Sequence, residues 1–317
     1  MIIVFGALYM DYHYDVEAMP EAGKQAIATS MMTEPGGRAV CQAYAAVRCG
    51  GRAAIVGMVG EDVYGKRILD SIRGDGVITS GVGHFSDLPT GQRVYFHKSG
   101  SKDAVVKVKG ANVETAADQI PDEILLPKNL VLMQMDLSPE QNWEVLRHAK
   151  AGGAVTMLNL APVIKIPHES LKLLDYLVVN KVEAKQMADT MGINVEDDAL
   201  KLAKALSQLG DLTCVVTLSS AGAVACEKGG KCFKVGALKL VDDEGHSTEV
   251  DVTGAGDAFC GTLATSIQQN MALPVALKRA CVAASLVCTK RGGISSYPYQ
   301  DEVEKAMDKV DDAVEVQ

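Results

Sequence analysis

Glu249-Val250-Asp251-Val252-Thr253-Gly254-Ala255-Gly256-Asp257-Ala258-Phe259 is the stretch that decides the fold, and a strongly helical pattern over 255–269 follows it directly. Gly254, Ala255 and Gly256 let the backbone turn tightly and present N–H groups at a helix start. Such a start is an anion site, through its free donors and the helix dipole. Asp257 lies in the first turn, beside that site. Bound phosphate would repel it, so it is a poor ornament for anion binding. It suits the group that accepts a proton from an attacking hydroxyl. Taken alone, a Gly-rich turn with an aspartate cap reads equally well.

Working outward, apolar runs of strand length alternate with helical patterns. Strands are expected over 2–5, 53–59, 130–135, 154–158, 176–179 and 212–218. Helices are expected over 39–49, 63–73 (entered at Asp62 as N-cap), 139–151, 182–191, 199–208, 274–290 and 301–310. Continuous apolar strands between helices predict an α/β chain whose mainly parallel sheet is covered on both faces. Two polar stretches interrupt the rhythm, and 92–97 and 104–108 alternate with period two. Residues of about 11–34 and 82–110 therefore read as a small β lid on one domain spanning 1–317. The acidic tail after Asp308 reads as a frayed helix end.

Further motifs fall at the ends of these elements. Glu34-Pro35-Gly36-Gly37-Arg38-Ala39 is a second Gly pair opening a helix. Asn180-Lys181-Val182-Glu183 ends one strand and starts a helix, and Thr217-Leu218-Ser219-Ser220-Ala221-Gly222 ends another strand. In an open parallel sheet, ligands bind beyond the carboxyl ends of the strands, where Asn180, Glu183, Thr217, Ser219 and Gly222 all lie.

With these motifs in this order, the chain resembles the ribokinase-like (PfkB) family of carbohydrate kinases from about residue 2 to about residue 298. The resemblance implies a Rossmann-like three-layer α/β/α fold with a β-sheet lid. It implies phosphoryl transfer from ATP, with Mg²⁺, to an alcohol group on a sugar or sugar derivative. By matching positions, Asp257 resembles the family's base, and the backbone of Gly254, Ala255 and Gly256 resembles its anion hole. Asn180 and Glu183 resemble the pair that organises Mg²⁺ and phosphates, Glu183 through water. Thr217, Ser219 and Gly222 resemble the nucleotide loop. Asp251 resembles the aspartate that binds K⁺ in cation-dependent members, with Gly292 and Ser296, in the later stretch 290–296, able to supply further ligands. A bracing role for Asp251 in the anion-hole turn fits equally well.

On the acceptor side, Asp11, Gly36, Gly37, Arg38, Cys41 and Asp136 fall at the family's sugar-binding positions. Ribokinases proper carry Asn where Tyr9 stands, Lys and Asn where Arg38 and Cys41 stand, and Glu where Asp136 stands. These exchanges point away from ribose. Arg38, Arg93, His97 and Lys24 suit an acidic or phosphorylated acceptor. Tyr9 and Tyr95 leave open a base to stack on, hence a nucleoside kinase on the same fold. A catalytically inactive ligand sensor is the alternative of another class.

The bulk numbers agree with a small-molecule enzyme. The chain has 317 residues, 48% of them hydrophobic, and a formal net charge of −9. An acidic chain lacks the electrostatic footprint of a nucleic-acid binder. The first residues meet Asp11 too soon for a signal peptide, and no apolar run reaches membrane-spanning length, so a cytoplasmic protein is expected. The eight scattered cysteines read as free thiols serving as small hydrophobes. The exposed strands of a lid predict a homodimer formed through it.

Overall fold

The computed structural model describes residues 1–317 except Ser101 and Asp243. Fourteen strands form two sheets. β1 (Ile2–Phe5), β4 (Ala53–Gly60), β5 (Ile78–Phe85), β8 (Leu130–Gln134), β9 (Val155–Asn159), β10 (Tyr176–Asn180) and β11 (Thr213–Thr217) run parallel in the large sheet. β12 (Ala223–Cys226), β13 (Cys232–Val235) and β14 (Val314–Val316) extend it antiparallel. The order is β14-β13-β12-β11-β10-β9-β8-β1-β4-β5. From β1 the chain builds outward through β4 to β5, then returns to β8 on the other side of β1. The β1/β8 boundary is thus the topological switch point, where a crevice opens beyond the strand ends.

Helices cover both faces. α1 (Arg38–Arg48), α2 (Val63–Gly74), α7 (Ala255–Gln268), α8 (Leu273–Val287) and α9 (Gln300–Met307) bury their apolar sides in one core with Ile2, Val4, Leu130 and Leu132. α3 (Pro139–Ala151), α4 (His168–Leu171), α5 (Lys181–Thr190) and α6 (Ala199–Gly210) form the other core with Ile3, Phe5, Val131 and Met133. Successive strand residues enter opposite cores, which is why β1 and β8 read as unbroken apolar runs. The expected α/β/α arrangement is the observed one.

The second sheet, in the order β3-β2-β6-β7, comprises β2 (Tyr9–Val16), β3 (Ala28–Gly36), β6 (Gly91–His97) and β7 (Ala104–Val108). Residues 82–85 are not part of it. They complete β5, hydrogen-bonded along β4 at the edge of the large sheet, and so correct the lower lid boundary.

Two more expectations are corrected. Cys226 and Cys232 face each other across the β12–β13 hairpin, with Cα atoms 4.1 Å apart, and are joined in a disulfide. Directly opposed positions on antiparallel strands bring side chains close enough to bond, and the short run of turn residues hid this pairing. The other six cysteines are free and buried. The acidic tail does not fray from α9. It closes the large sheet as β14, pairing with β13. No helix among the described residues is long and apolar enough to cross a membrane.

Asp62 locks the lid's entry to the body. Its carboxylate caps α2 by accepting from the N–H of Tyr64 (3.0 Å) and Gly65 (2.8 Å). It also accepts from the N–H (2.7 Å) and hydroxyl (2.7 Å) of Thr90, the residue before β6. Losing a cap together with two charged hydrogen bonds should cost about 2–4 kcal/mol. Asp62→Ala is therefore expected to lower urea-denaturation stability by that amount, with Asp62→Asn in between. An alanine variant within about 0.5 kcal/mol of the parent, the range of ordinary surface changes, would contradict this role.

Candidate active site

The carboxyl ends of β8, β9, β10 and β11 each finish on a polar residue: Gln134, Asn159, Asn180 and Thr217. Parallel register aligns Gln134 with Asn159, and Asn180 with Thr217. This polar row faces the starts of α1, α5 and α7.

At α7, Gly254 is the N-cap with φ +84°, a left-handed conformation open to glycine. A side chain there would meet the Tyr297 hydroxyl, which donates to the Gly254 carbonyl (3.2 Å). No side chain caps this helix start. Among the described residues, the N–H groups of Gly256 and Asp257 have no acceptor. The space next to Gly256 is open. An uncapped start beside open space is what an incoming anion needs.

Asp257 stands in that first turn and keeps partial exposure. Gln42 of α1, itself fully buried, donates to its Oδ1 at 2.8 Å. The same amide donates to Asn159 Oδ1 (3.1 Å), and its oxygen accepts from Gln134 (2.7 Å). Burial is the main influence on Asp257 and lifts its pKa to about 6, against the pull of Arg38, the Gln42 hydrogen bond and Arg93.

A cleft of about 740 Å³ runs from this turn along the strand ends. Asn180, Thr217, Ser219, Gly222, Ala255 and Gly256 line it, with an apolar wall from Leu238, Val241, Phe259, Ala284 and Cys288. Asn180 and Glu183 form a reciprocal capping box at α5: each backbone N–H donates to the other's side chain at 2.8 Å. Glu183 is half-buried, and burial raises its pKa, opposed by the Asn180 N–H and by Arg38. One of its oxygens is engaged by the box, so a cation held through water fits it better than direct ligation. Among the described residues, no group of three His, Cys, Asp or Glu side chains is placed to hold a metal ion. Asp251 accepts from the Thr253 N–H (2.9 Å), bracing the turn that leads into α7. Burial alone would raise its pKa, yet hydrogen bonds from Thr253 and the nearby Gly292 hold it below the usual range.

The acceptor-side residues gather at the switch point. Gly37, with φ +98°, is the N-cap of α1, and any side chain there would meet the Ala7 carbonyl. Asp11 on β2 is buried, and Gly36 is packed directly against its carboxylate. Arg93 on β6 grips that carboxylate with two donors, Nε to Oδ1 at 2.8 Å and Nη2 to Oδ2. Asp136, just past β8, accepts from Arg38 (2.8 Å) and Lys107 (2.5 Å). Burial would raise its pKa, but the two cations hold it below the usual carboxylate range. Tyr9 lies between Arg93 (5.3 Å) and Lys107 (5.0 Å), and Tyr95 is covered by Arg93 (5.3 Å) and stacked on His13 (4.7 Å). These faces are occupied and do not offer a platform for a base. Cys41 is buried against Tyr297, so its thiol stays neutral. Lys24 is not part of the site: it sits in solvent, paired with Glu21.

Residues 1–300 match the model of the pfkB family of carbohydrate kinases. The chain belongs to that family. Ribokinase of Bacillus subtilis (strain 168) is 29% identical over 308 residues, covering 96% of this chain and 99% of the relative. The structure of Arabidopsis thaliana ribokinase complexed with ribose and ATP matches with a TM-score of 0.85 at 26% identity, covering 96% of this chain and 98% of that one. Burkholderia thailandensis nucleoside kinase, in complex with inosine, shares the fold at a TM-score of 0.81 and 20% identity, covering 97% and 96%. The protein is an ATP-dependent carbohydrate kinase.

Sequence reading missed several residues of the kinase site. Gln42 carried no motif and lies 215 positions from the aspartate it touches. Lys107 and the wall over 237–241 carried none either. Gln134 and Asn159 were legible in principle, as lone amides ending apolar strands. The ionisation of the kinase's aspartate is measurable. Asp257 should titrate near pH 6 in carboxyl-carbon NMR. Gln42→Leu removes a donor that favours the charged form and should move the midpoint higher. A midpoint near the ordinary value in both proteins would contradict the dominance of burial.

Proposed function

We propose that the acceptor sugar lies between the lid sheet and the ends of β1 and β8, with Asp257 as the base for its attacking hydroxyl. The observation that carries this reading is a largely buried carboxylate with a raised pKa in the first turn of an uncapped helix, whose preceding residues Ala255 and Gly256 line a large cleft. Asp11, Gly36, Gly37, Arg38, Cys41 and Asp136 line or brace the acceptor side. The nucleotide occupies the cleft over Asn180, Thr217, Ser219 and Gly222, against the apolar wall. The backbone at Gly254, Ala255 and Gly256 receives the transferring phosphoryl group.

Asp257 takes the hydroxyl proton as that oxygen bonds to the γ-phosphorus and the bond to the leaving ADP oxygen breaks. The free N–H groups stabilise the charge that develops in flight, and a site closed by the lid excludes competing water. Glu183 is the residue to hold Mg²⁺, through water, near the phosphates. The ion supplies neutralisation of phosphate charge. Asp251 with neighbouring carbonyl groups suits K⁺, in a position where it already braces the anion-hole turn. A cytoplasmic setting is part of this reading, and the Cys226–Cys232 disulfide is the one feature that counts against it.

Asp257→Asn should lower kcat by roughly 10²–10⁴-fold while leaving ATP affinity unchanged in calorimetry. Because the base works deprotonated, kcat/KM of the parent should rise with pH through about 6 and then level off. Parental turnover in the asparagine variant would end the proposal.

We also propose a homodimer through the lid. Met31, Val105 and Val106 are exposed there at 58%, 50% and 55%. Val106→Asp should shift sedimentation velocity from dimer to monomer. A parent that sediments as a monomer at every concentration would contradict the dimer.

A further inference from the structure

On the acceptor wall three cations, Arg38, Arg93 and Lys107, share direct contact with two carboxylates, Asp11 and Asp136. Asp257 and Glu183 act on Arg38, and Glu34 on Arg93, through space only. Every oxygen of Asp11 and Asp136 already has a cationic partner: Arg93 on both oxygens of Asp11, Arg38 on Oδ2 and Lys107 on Oδ1 of Asp136. The carboxylates are buried, with side-chain exposures of 7% for Asp11 and 4% for Asp136. The cations over Asp136 are the accessible groups, at 33% for Arg38 and 34% for Lys107. Asp257 makes no direct contact with these cations; its hydrogen bond comes from the neutral Gln42 amide.

A neutral sugar binds through hydroxyls that both donate and accept, and its donated bonds need free acceptor oxygens. This wall presents mostly donors. Arg38 spends one N–H group on Asp136 and has others to offer. The Tyr9 hydroxyl beneath is buried and, among the described residues, unpartnered. A group that only accepts and carries negative charge satisfies those donors and pairs with the two accessible cations.

We infer that the sugar acceptor carries an anionic group, a carboxylate or a phosphate ester, held by Arg38 and Lys107 beside Asp136; this rests on the kinase reading of the same site. Asp136 then serves as the fixed counter-charge that spaces the two cations, and the hydroxyl to be phosphorylated lies at the Asp257 end of the molecule.

The test is a coupled ADP-release assay on the full chain with MgATP. The acceptors are matched sets: a neutral aldose or ketose, the sugar acid of the same skeleton, its phosphate ester, and a nucleoside. The anionic members should exceed their neutral partners by roughly 10- to 100-fold in kcat/KM, the worth of one or two charged hydrogen bonds. The acid and ester arms identify which anion the site takes. Lys107→Met leaves the Arg38–Asp136 pair balanced, so the variant should fold. It should raise KM for the anionic acceptor by roughly 10-fold with kcat little changed, and Lys107→Arg should restore it. A neutral sugar or nucleoside as best acceptor overturns the inference and leaves the kinase reading intact. So does an unchanged anionic KM in Lys107→Met. No ADP release with any acceptor removes the kinase reading and this inference together.

Discussion

The hydrogen bond from Gln42 to Asp257 joins α1, which opens at Gly37, to α7, the uncapped helix that starts at Gly254. A base for alcohol phosphorylation must be ionised at neutral pH and still want a proton. A guanidinium in direct contact would lower a carboxyl pKa by about 1 to 3 and weaken the base. A neutral amide holds the carboxylate in place at smaller electrostatic cost. Arg38 and Arg93 both influence Asp257, yet each is tied elsewhere, Arg38 to Asp136 and Arg93 to Asp11. These two ion pairs are weak evidence for stability, since burying charge costs as much as pairing it returns. Their effect on the base is clearer. They keep the cations close enough to favour the ionised form and too occupied to neutralise it.

The same economy of contacts ties the lid to the body. Asp15 on β2 holds Arg291 through both oxygens (2.6 and 2.7 Å), and Glu34 on β3 accepts from the Gly293 N–H (2.9 Å). His13 and His97 bridge β2 and β6 at 2.9 Å. The 291–293 segment that receives the Asp15 and Glu34 contacts neighbours Asp251, which braces the turn before α7. The lid sheet therefore bears on the helix start proposed to receive phosphate as well as on the proposed acceptor site. Exposed ion pairs such as Asp15–Arg291 contribute about 1 kcal/mol or less, so the attachment is one that can be released.

The layers and most element boundaries were legible because every parallel strand but the edge strand β5 is a short apolar run closed by a punctuating residue, as Asn180 and Asp62 illustrate. What escaped was set by partners distant in sequence. Ala223–Cys226 and Cys232–Val235 are four-residue runs that mean little until β11 is beside them. Val314–Val316 becomes a strand only because β13 offers an open edge. The site divides the same way. Gly254–Asp257, Asn180–Glu183 and Gly36–Gly37 were readable because local backbone geometry performs their task. The Gln134–Gln42–Asp257 chain and the Asp136–Lys107 pair arise from side chains meeting across the fold, and no local pattern announces them.

That division also explains why family membership speaks more firmly about the phosphoryl donor than about the acceptor. The half proposed for the nucleotide is built from N–H groups, a capping box and an apolar wall, which impose shape and tolerate many side chains. The half proposed for the acceptor is built from Asp11, Arg38, Arg93, Lys107 and Asp136, where exchanging one charge leaves a partner unpaired in a half-buried place. Such a loss costs about 1–3 kcal/mol or more, enough to change which ligand binds best. A ribokinase-like backbone can therefore keep its donor chemistry while a few charges on β2, β6, β7 and α1 redefine the acceptor.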